Sequence, residues 1–220
     1  MINKKKYFTS WSGGKDSALA HYQALQEGGK PAYLLTMFEE NEEFSRSHAL
    51  PLSVLEAQAE AMEIPLLTRG ASWQTYEEKF LDALSELQEK GVSHGVFGDI
   101  DLEDHLTWVQ RTCEKRDVTS YHPLWQKERR LVVEQLIDAG FEAVIVVVKE
   151  EKLPSSFLGK TLTEALMHDL ESFGVDPCGE EGEFHTVVVN GPLFKKPLPF
   201  ITKEVQYHEG YAFLQVDVEK

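Results

Sequence analysis

Cysteine is scarce in this chain: two in 220 residues, Cys113 and Cys178, with no Cys-x-x-Cys pair. A structural zinc site or an iron–sulfur cluster is therefore not expected, and the thiol usage fits a reducing compartment. Long apolar runs are missing too. None approaches the roughly 20 residues that cross a bilayer, and no signal-like segment follows the basic start Met1 to Lys6. The expected location is the cytoplasm, away from membranes. Positive charge is also short: 22 Lys and Arg stand against 37 Asp and Glu, a net charge of −15. Nucleic-acid binding leans on Lys and Arg meeting phosphates, so a nucleic acid is not the expected partner. A small molecule, or a protein with a cationic feature, fits better. Hydrophobic residues make up 42 % of the chain, enough for a proper core.

The chain alternates strand-like and helix-like segments. Tyr7 to Ser10 reads as a strand. A helix beginning near Asp16 carries Ala18, Leu19, Tyr22 and Leu25 on one face and stops at Gly28-Gly29. Pro31 to Phe38 is a second strand, followed by a polar loop from Glu39 to Ala49. Pro51 opens a helix marked by Leu52, Leu55, Ala59 and Met62. Leu66 to Thr68 is a short strand. Ser72 is a candidate cap for a helix with the stripe Tyr76, Phe80, Leu84 and Leu87. Gly95 to Gly98 reads as a strand. Leu102, Leu106, Val109 and Cys113 mark another helix, and Gln126 to Ala139 a further one. Ala143 to Val148 is unbroken apolar sequence, as in a strand buried on both faces of a parallel sheet. The expected fold is α/β, a doubly wound parallel sheet, over residues 1–150. Residues 151–220 read as a small α+β domain. A capping box at Thr161-Leu162-Thr163-Glu164 opens its helix, and strands follow at Phe184 to Val189, Glu204 to Tyr207 and Ala212 to Val218.

The densest chemistry near the start is Ser12-Gly13-Gly14-Lys15-Asp16-Ser17. A strand that breaks at two glycines and restarts as a helix builds an anion site, because the backbone N–H groups and the helix dipole converge there. Lys15 adds charge, Ser10, Ser12 and Ser17 add hydroxyls, and Asp16 can hold Mg²⁺ beside a phosphate. The alternative is a plain strand-to-helix turn, which Gly-Gly alone would favour. The spacing fails the Gly-x-x-x-x-Gly-Lys-Ser/Thr loop of kinases and GTPases. The hexapeptide resembles the signature of the PP-loop ATP pyrophosphatases, which cleave ATP between the α- and β-phosphates. That resemblance implies adenylation rather than γ-phosphoryl transfer. Sulfur-transfer members of that superfamily often use paired cysteines, which are absent here.

A second cluster runs from Asp176 to Thr186: Asp-Pro-Cys-Gly-Glu-Glu-Gly-Glu-Phe-His-Thr. An acidic solvated turn is the plain reading, but glycines interleaved with acids suggest a shaped loop that sets carboxylates near a cation. Taken with the hexapeptide, Gly98-Asp99-Ile100, Pro123-Leu124-Trp125 and Gly191-Pro192-Leu193-Phe194, this segment resembles the diphthine–ammonia ligase family, from the first strand to about Lys196. The resemblance implies an adenine nucleotide alpha-hydrolase-like (HUP-type) domain with a small C-terminal substrate domain. It implies ATP and Mg²⁺ and an amide-forming ligase that joins ammonium to a carboxylate and releases AMP and pyrophosphate. In eukaryotes and archaea the carboxylate is diphthine on elongation factor two; bacterial relatives have substrates the name does not give.

On that footing Lys15, Asp16, Glu183 and His185 are candidate catalytic residues. Ser10, Ser12, Gly13, Gly14, Lys15, Asp16, Ser17, Asp99 and Arg111 are candidates for the nucleotide, with Asp16 as metal ligand. Trp125, Glu180, Glu183 and Phe184 are candidates for a cationic substrate. Arg46 and His48 are weighed for ATP against simple surface placement. His185 is either a proton acceptor for ammonium or a brace for its loop. Cys113 is expected to pack, and Cys178 to be the more exposed thiol. The implied partners are ATP, ammonium and the carboxylate substrate, and a homodimer is the assembly considered. Two alternatives stand beside the ligase: a tRNA-modifying PP-loop enzyme, against which the acidic charge speaks, and an adenine-nucleotide sensor that does not turn over.

Overall fold

The computed structural model describes residues 1–40, 44–45 and 48–219. Five strands form a parallel sheet: β1 Lys6–Ser10, β2 Lys30–Phe38, β3 Leu66–Gly70, β4 His94–Val96 and β5 Thr119–Tyr121, in the order β3-β2-β1-β4-β5. Helices α1 (Lys15–Gln26), α2 (Leu52–Met62), α3 (Tyr76–Glu89) and α4 (Glu103–Glu114) make the crossovers. Side chains on a strand alternate between faces. Tyr7, Leu34 and Val96 accordingly join one buried cluster with α1 and α2, while Phe8, Leu35 and Phe97 join another with α3 and α4. The order reverses between β1 and β4, so the carboxyl ends of these two strands open the crevice where such sheets bind ligands.

The second sheet is antiparallel, in the order β7-β6-β9-β8, from β6 Glu142–Lys149, β7 Phe184–Asn190, β8 Phe200–His208 and β9 Tyr211–Val218. Helix α5 (Arg129–Asp138) precedes it, and α6 (Glu164–Ser172) lies between β6 and β7. Residues of α1, α2 and both sheets share one buried cluster.

Four expectations change. Ala143 to Val148 is a central strand of the antiparallel sheet, paired with β7 and β9, and not a strand of the parallel sheet. A strand covered on both faces reads as continuous apolar sequence whatever the direction of its neighbours. Strand β5 was not expected, because Thr119-Ser120-Tyr121 is short and polar. The α6 cap is Thr163, whose hydroxyl accepts the Leu166 N–H at 3.2 Å, so Thr161 is not the capping residue. Helix α3 begins after Thr75; Ser72 and Thr75 exchange hydrogen bonds one turn ahead of it. Among the described residues no helix is long and apolar enough to cross a membrane.

Gly98, just past β4, lets that strand end close against the start of α1. A Cβ there would lie 2.9 Å from the Asp16 carbonyl carbon and 3.0 Å from the Ser17 nitrogen. Backbone on both sides cannot yield as a side chain does. Gly98→Ala should cost about 1–3 kcal/mol by overpacking, read as a melting temperature lowered by several degrees; an unchanged melting temperature would contradict this packing.

Candidate functional site

β1 ends at Ser10 and the chain turns through Gly13, whose φ of +81° is the left-handed region that suits glycine. Helix α1 starts at Lys15 with Gly14 as its extended cap and no side-chain capping bond. Its first N–H groups are thus left to other partners. Ser12 and Ser17 hydroxyls lie 3.1 Å apart, the Gly14 N–H points to Ser12 Oγ at 3.3 Å, and Ser17 donates to the Gly14 carbonyl at 3.1 Å. The turn is buttressed by the second sheet. Val188 N–H donates to the Gly13 carbonyl at 2.9 Å, and Lys15 N–H donates to Thr186 Oγ1 at 3.2 Å.

Two clefts flank this turn, each about 210 Å³. The first lies over the ends of β1, β2 and β4, where Ser10, Ser12, Asp16, Ser17 and Asp99 meet Tyr76 and Phe97. The second is walled by the C-terminal loop, with Lys15, Asp16, Glu180, Phe184 and His185. Asp16 and His48 belong to both. Residues far apart in sequence, such as Lys15 and Glu180, thus surround one carboxylate.

Electrostatics centre on Lys15, which is almost fully buried. Its Nζ lies 2.6 Å from Asp16 and 3.9 Å from Glu180, and 5.8 Å from the centre of the Phe184 ring. Burial opposes its charge most strongly, but the carboxylates of Asp16 and Glu180 outweigh it, and the pKa rises. Glu180 is pushed up to about 7, first by burial and then by Asp16. Burial takes His185 down to about 3, aided by His48 and Lys15. His48, also lowered to about 4 by burial, donates from Nδ1 to the Thr186 carbonyl at 2.7 Å, and its ring centre is 4.9 Å from that of His185. Both histidines are neutral at neutral pH.

Ligand atoms of Asp16, Glu180 and Cys178 all lie within 4.8 Å of one another. Two carboxylates suit Mg²⁺, which binds through one or two of them together with substrate phosphates. The thiol is a poor partner for so hard a cation, and burial raises its pKa, so it stays protonated.

Asp99, past β4, accepts hydrogen bonds from His105 and, at 2.9 Å, from His122. Burial alone would raise its pKa; the two histidines override that and hold it at about 2.

Most candidates named from sequence converge on the two clefts, but not all. Arg111 is exposed on α4 and ion-paired with Glu77 of α3 at 3.0 Å, turned to a helix neighbour instead of the loop. Trp125 lines neither cleft. Nor does Glu183: its carboxylate folds back to accept the Glu181 N–H at 3.0 Å. Cys178 is fully buried, against expectation, because the loop folds inward over α1 with Cys178 Sγ 3.9 Å from Asp16. Cys113 packs in the core as expected. Arg46 lies outside the described residues. Sequence reasoning passed over Gln58, which is fully buried against Gly13. Its signal was a lone amide on the apolar face that Val54, Leu55, Ala59 and Met62 define on α2.

A glycine turn between β1 and α1, set at the switch point of a five-stranded parallel sheet and faced by an acidic loop, defines an adenine-nucleotide-binding α/β protein of the PP-loop kind. The chain belongs to the diphthamide synthase family. The family model for the diphthamide synthase N-terminal domain matches residues 5–120, and that for the C-terminal domain matches residues 128–220. Proteins named diphthine–ammonia ligase are similar along nearly the whole chain. The rat protein (Rattus norvegicus) is 29 % identical, covering 93 % of this chain and 86 % of its own length. The human protein (Homo sapiens) is 27 % identical over the same shares. The zebrafish protein (Danio rerio) is 26 % identical, covering 93 % and 90 %.

The Asp99 cluster yields a pH signature. His105 has its pKa raised, first by the hydrogen bond to Asp99. A raised folded-state pKa stabilises fully below the unfolded value of about 6.5 and is lost as pH climbs through the folded value. The melting-temperature gap between the parent protein and Asp99→Asn should therefore be wider at pH 6 than at pH 9. A gap that grows with pH would contradict the assignment.

Proposed function

We propose that the protein is an ATP-dependent ligase that converts a carboxylate to an amide with ammonium and releases AMP and pyrophosphate. The observation that carries this reading is that two clefts meet at Asp16, one built from the phosphate loop and one from the C-terminal loop. A nucleotide in the first and a carboxylate in the second come together at that point. The names of the relatives support the same chemistry.

A carboxylate does not exchange oxide for ammonia at a useful rate, because oxide is a hopeless leaving group. Adenylation replaces that leaving group with AMP. In the first step a carboxylate oxygen bonds to the α-phosphorus, the bond to the bridging oxygen breaks, and pyrophosphate departs. Ammonium then gives up a proton, its nitrogen attacks the acyl carbon, AMP leaves, and a second proton is lost. Seating both reactants at one point supplies much of the rate.

The Gly14 N–H, the α1 N–H groups next after that of Lys15 and the hydroxyls of Ser10, Ser12 and Ser17 bind phosphate oxygens. Lys15, held charged by its acidic neighbours, meets the charge that grows on pyrophosphate. Asp16 and Glu180 would hold Mg²⁺, which supplies further positive charge at the phosphates when bound. Without a cation these two acids would repel a triphosphate, so turnover should require one. Neutral His185, its ring 4.9 Å from that of His48, braces the loop that walls the second cleft. Asp99 bounds the nucleotide side.

The acyl substrate in this reading is diphthine, or in a bacterium an acid of related form. Its cationic trimethylammonium group would meet the face of Phe184. Residues 128–220 then present the substrate, and residues 5–120 hold the nucleotide.

Incubation with ATP, Mg²⁺, ammonium and a pool of candidate acids should yield AMP together with one acid converted to its amide, found by mass. ATP bound without AMP formation against every acid in the pool would overturn the reading. Lys15→Ala should keep its circular dichroism spectrum and lose pyrophosphate release by about 100-fold or more, as loss of a charge-stabilising donor does. Undiminished release would remove Lys15 from the mechanism.

A further inference from the structure

Gln58 sits in the middle of α2, fully buried, between the phosphate loop and the second sheet. Its amide makes three hydrogen bonds. Oε1 accepts from Trp11 Nε1 at 2.8 Å. Nε2 donates to the Gly13 carbonyl at 2.9 Å and to the Val188 carbonyl at 2.8 Å. Indole N–H is a donor and nothing else, so the oxygen of the amide must face Trp11. Both amide hydrogens are then committed to carbonyls. The orientation of Gln58 is fixed by chemistry and cannot flip without losing all three bonds.

The Gly13 carbonyl accepts twice, from Gln58 and from Val188 N–H at 2.9 Å. It is pinned toward the protein interior on α2 and β7. In a trans peptide the carbonyl and the following N–H point to opposite sides, and among the described residues there is no cis peptide. Pinning the Gly13 oxygen on α2 and β7 therefore turns the Gly14 N–H the other way, to the Ser12 side of the turn, where its partner is Ser12 Oγ at 3.3 Å. A glycine pair is the most pliable backbone available. Unpinned, this peptide could rotate and show its carbonyl oxygen to an anion.

We propose that Gln58 is a positioning residue for the phosphate site: it locks the Gly13–Gly14 peptide in the orientation that offers an N–H to a phosphate oxygen. It touches no substrate. Trp11 acts through it by fixing the direction of the amide. The inference rests on the reading of this loop as the triphosphate site.

The test compares affinities for ATP with Mg²⁺ and for adenosine, by calorimetry, in the parent protein and in Gln58→Met. The Met side chain keeps the volume and drops the donors. If Gln58 aims the peptide, ATP should weaken by tenfold or more while adenosine, which has no phosphate, holds within about twofold. A purely structural role would weaken both ligands alike, and that result would overturn the proposal, as would unchanged ATP affinity. Should Gln58→Met fail to fold, Trp11→Phe decides: it leaves Gln58 in place and frees its amide to turn, and the same selective loss of ATP is expected. Equal weakening of both ligands, or of neither, in that variant would refute the inference. A parent protein that does not prefer ATP over adenosine would instead refute the reading of the loop, a distinct outcome.

Discussion

The contact on which the rest of the molecule depends is the grip of β7 on the glycine turn after β1. One hydrogen bond joins the Val188 N–H to the Gly13 carbonyl, and another joins the Lys15 N–H to Thr186. Both are buried, where an unmade bond costs more than a made one gains. They join the antiparallel sheet to the nucleotide turn of the parallel one. They also hold the loop before β7 over the start of α1. Phe184, His185 and Glu180 reach Lys15 and Asp16 because of that anchor.

Charge follows from the same placement. The chain is strongly acidic, yet its acids are not spread evenly around the turn: Asp16 and Glu180 converge on one buried lysine. Coulomb attraction offsets the cost of burying Lys15, and the lysine remains cationic. At His48 and His185, by contrast, burial and the charge of Lys15 win, and both rings stay neutral. Lys15 thus sets one buried positive charge between the two clefts, beside the acids Asp16 and Glu180. Such a lining admits phosphates with a divalent cation alongside, and suits a substrate that itself carries a positive group.

Much of this was legible in the sequence for local reasons. Gly-Gly between an apolar run and a helical pattern has one natural geometry, and the helix stop at Gly28 falls where the chain takes positive φ. The Asp176 to Thr186 segment announced a shaped loop through its glycines, and Gly179 and Gly182 both sit in the left-handed region. What escaped was information held between elements. The run Ala143 to Val148 states its burial and not its neighbours, so its sheet was misassigned. Cys178 looked exposed among acids, but the inward fold of its loop is a tertiary fact. Arg111 carried the right charge on the wrong face: α4 turns it toward Glu77. Gln58 lies 45 positions from the glycine it holds, and no local pattern names a partner at that distance.

The central claim is that a triphosphate seated on Gly13 to Ser17 is broken at its α-phosphorus by a carboxylate. The most direct measurement is the fate of oxygen. Turnover would use ATP, ammonium and a substrate whose carboxylate is fully labelled with oxygen-18, such as diphthine on elongation factor two, with the nucleotide product weighed by mass spectrometry. The account predicts AMP carrying one labelled oxygen for each amide formed. Unlabelled AMP, or ADP with inorganic phosphate, would contradict it.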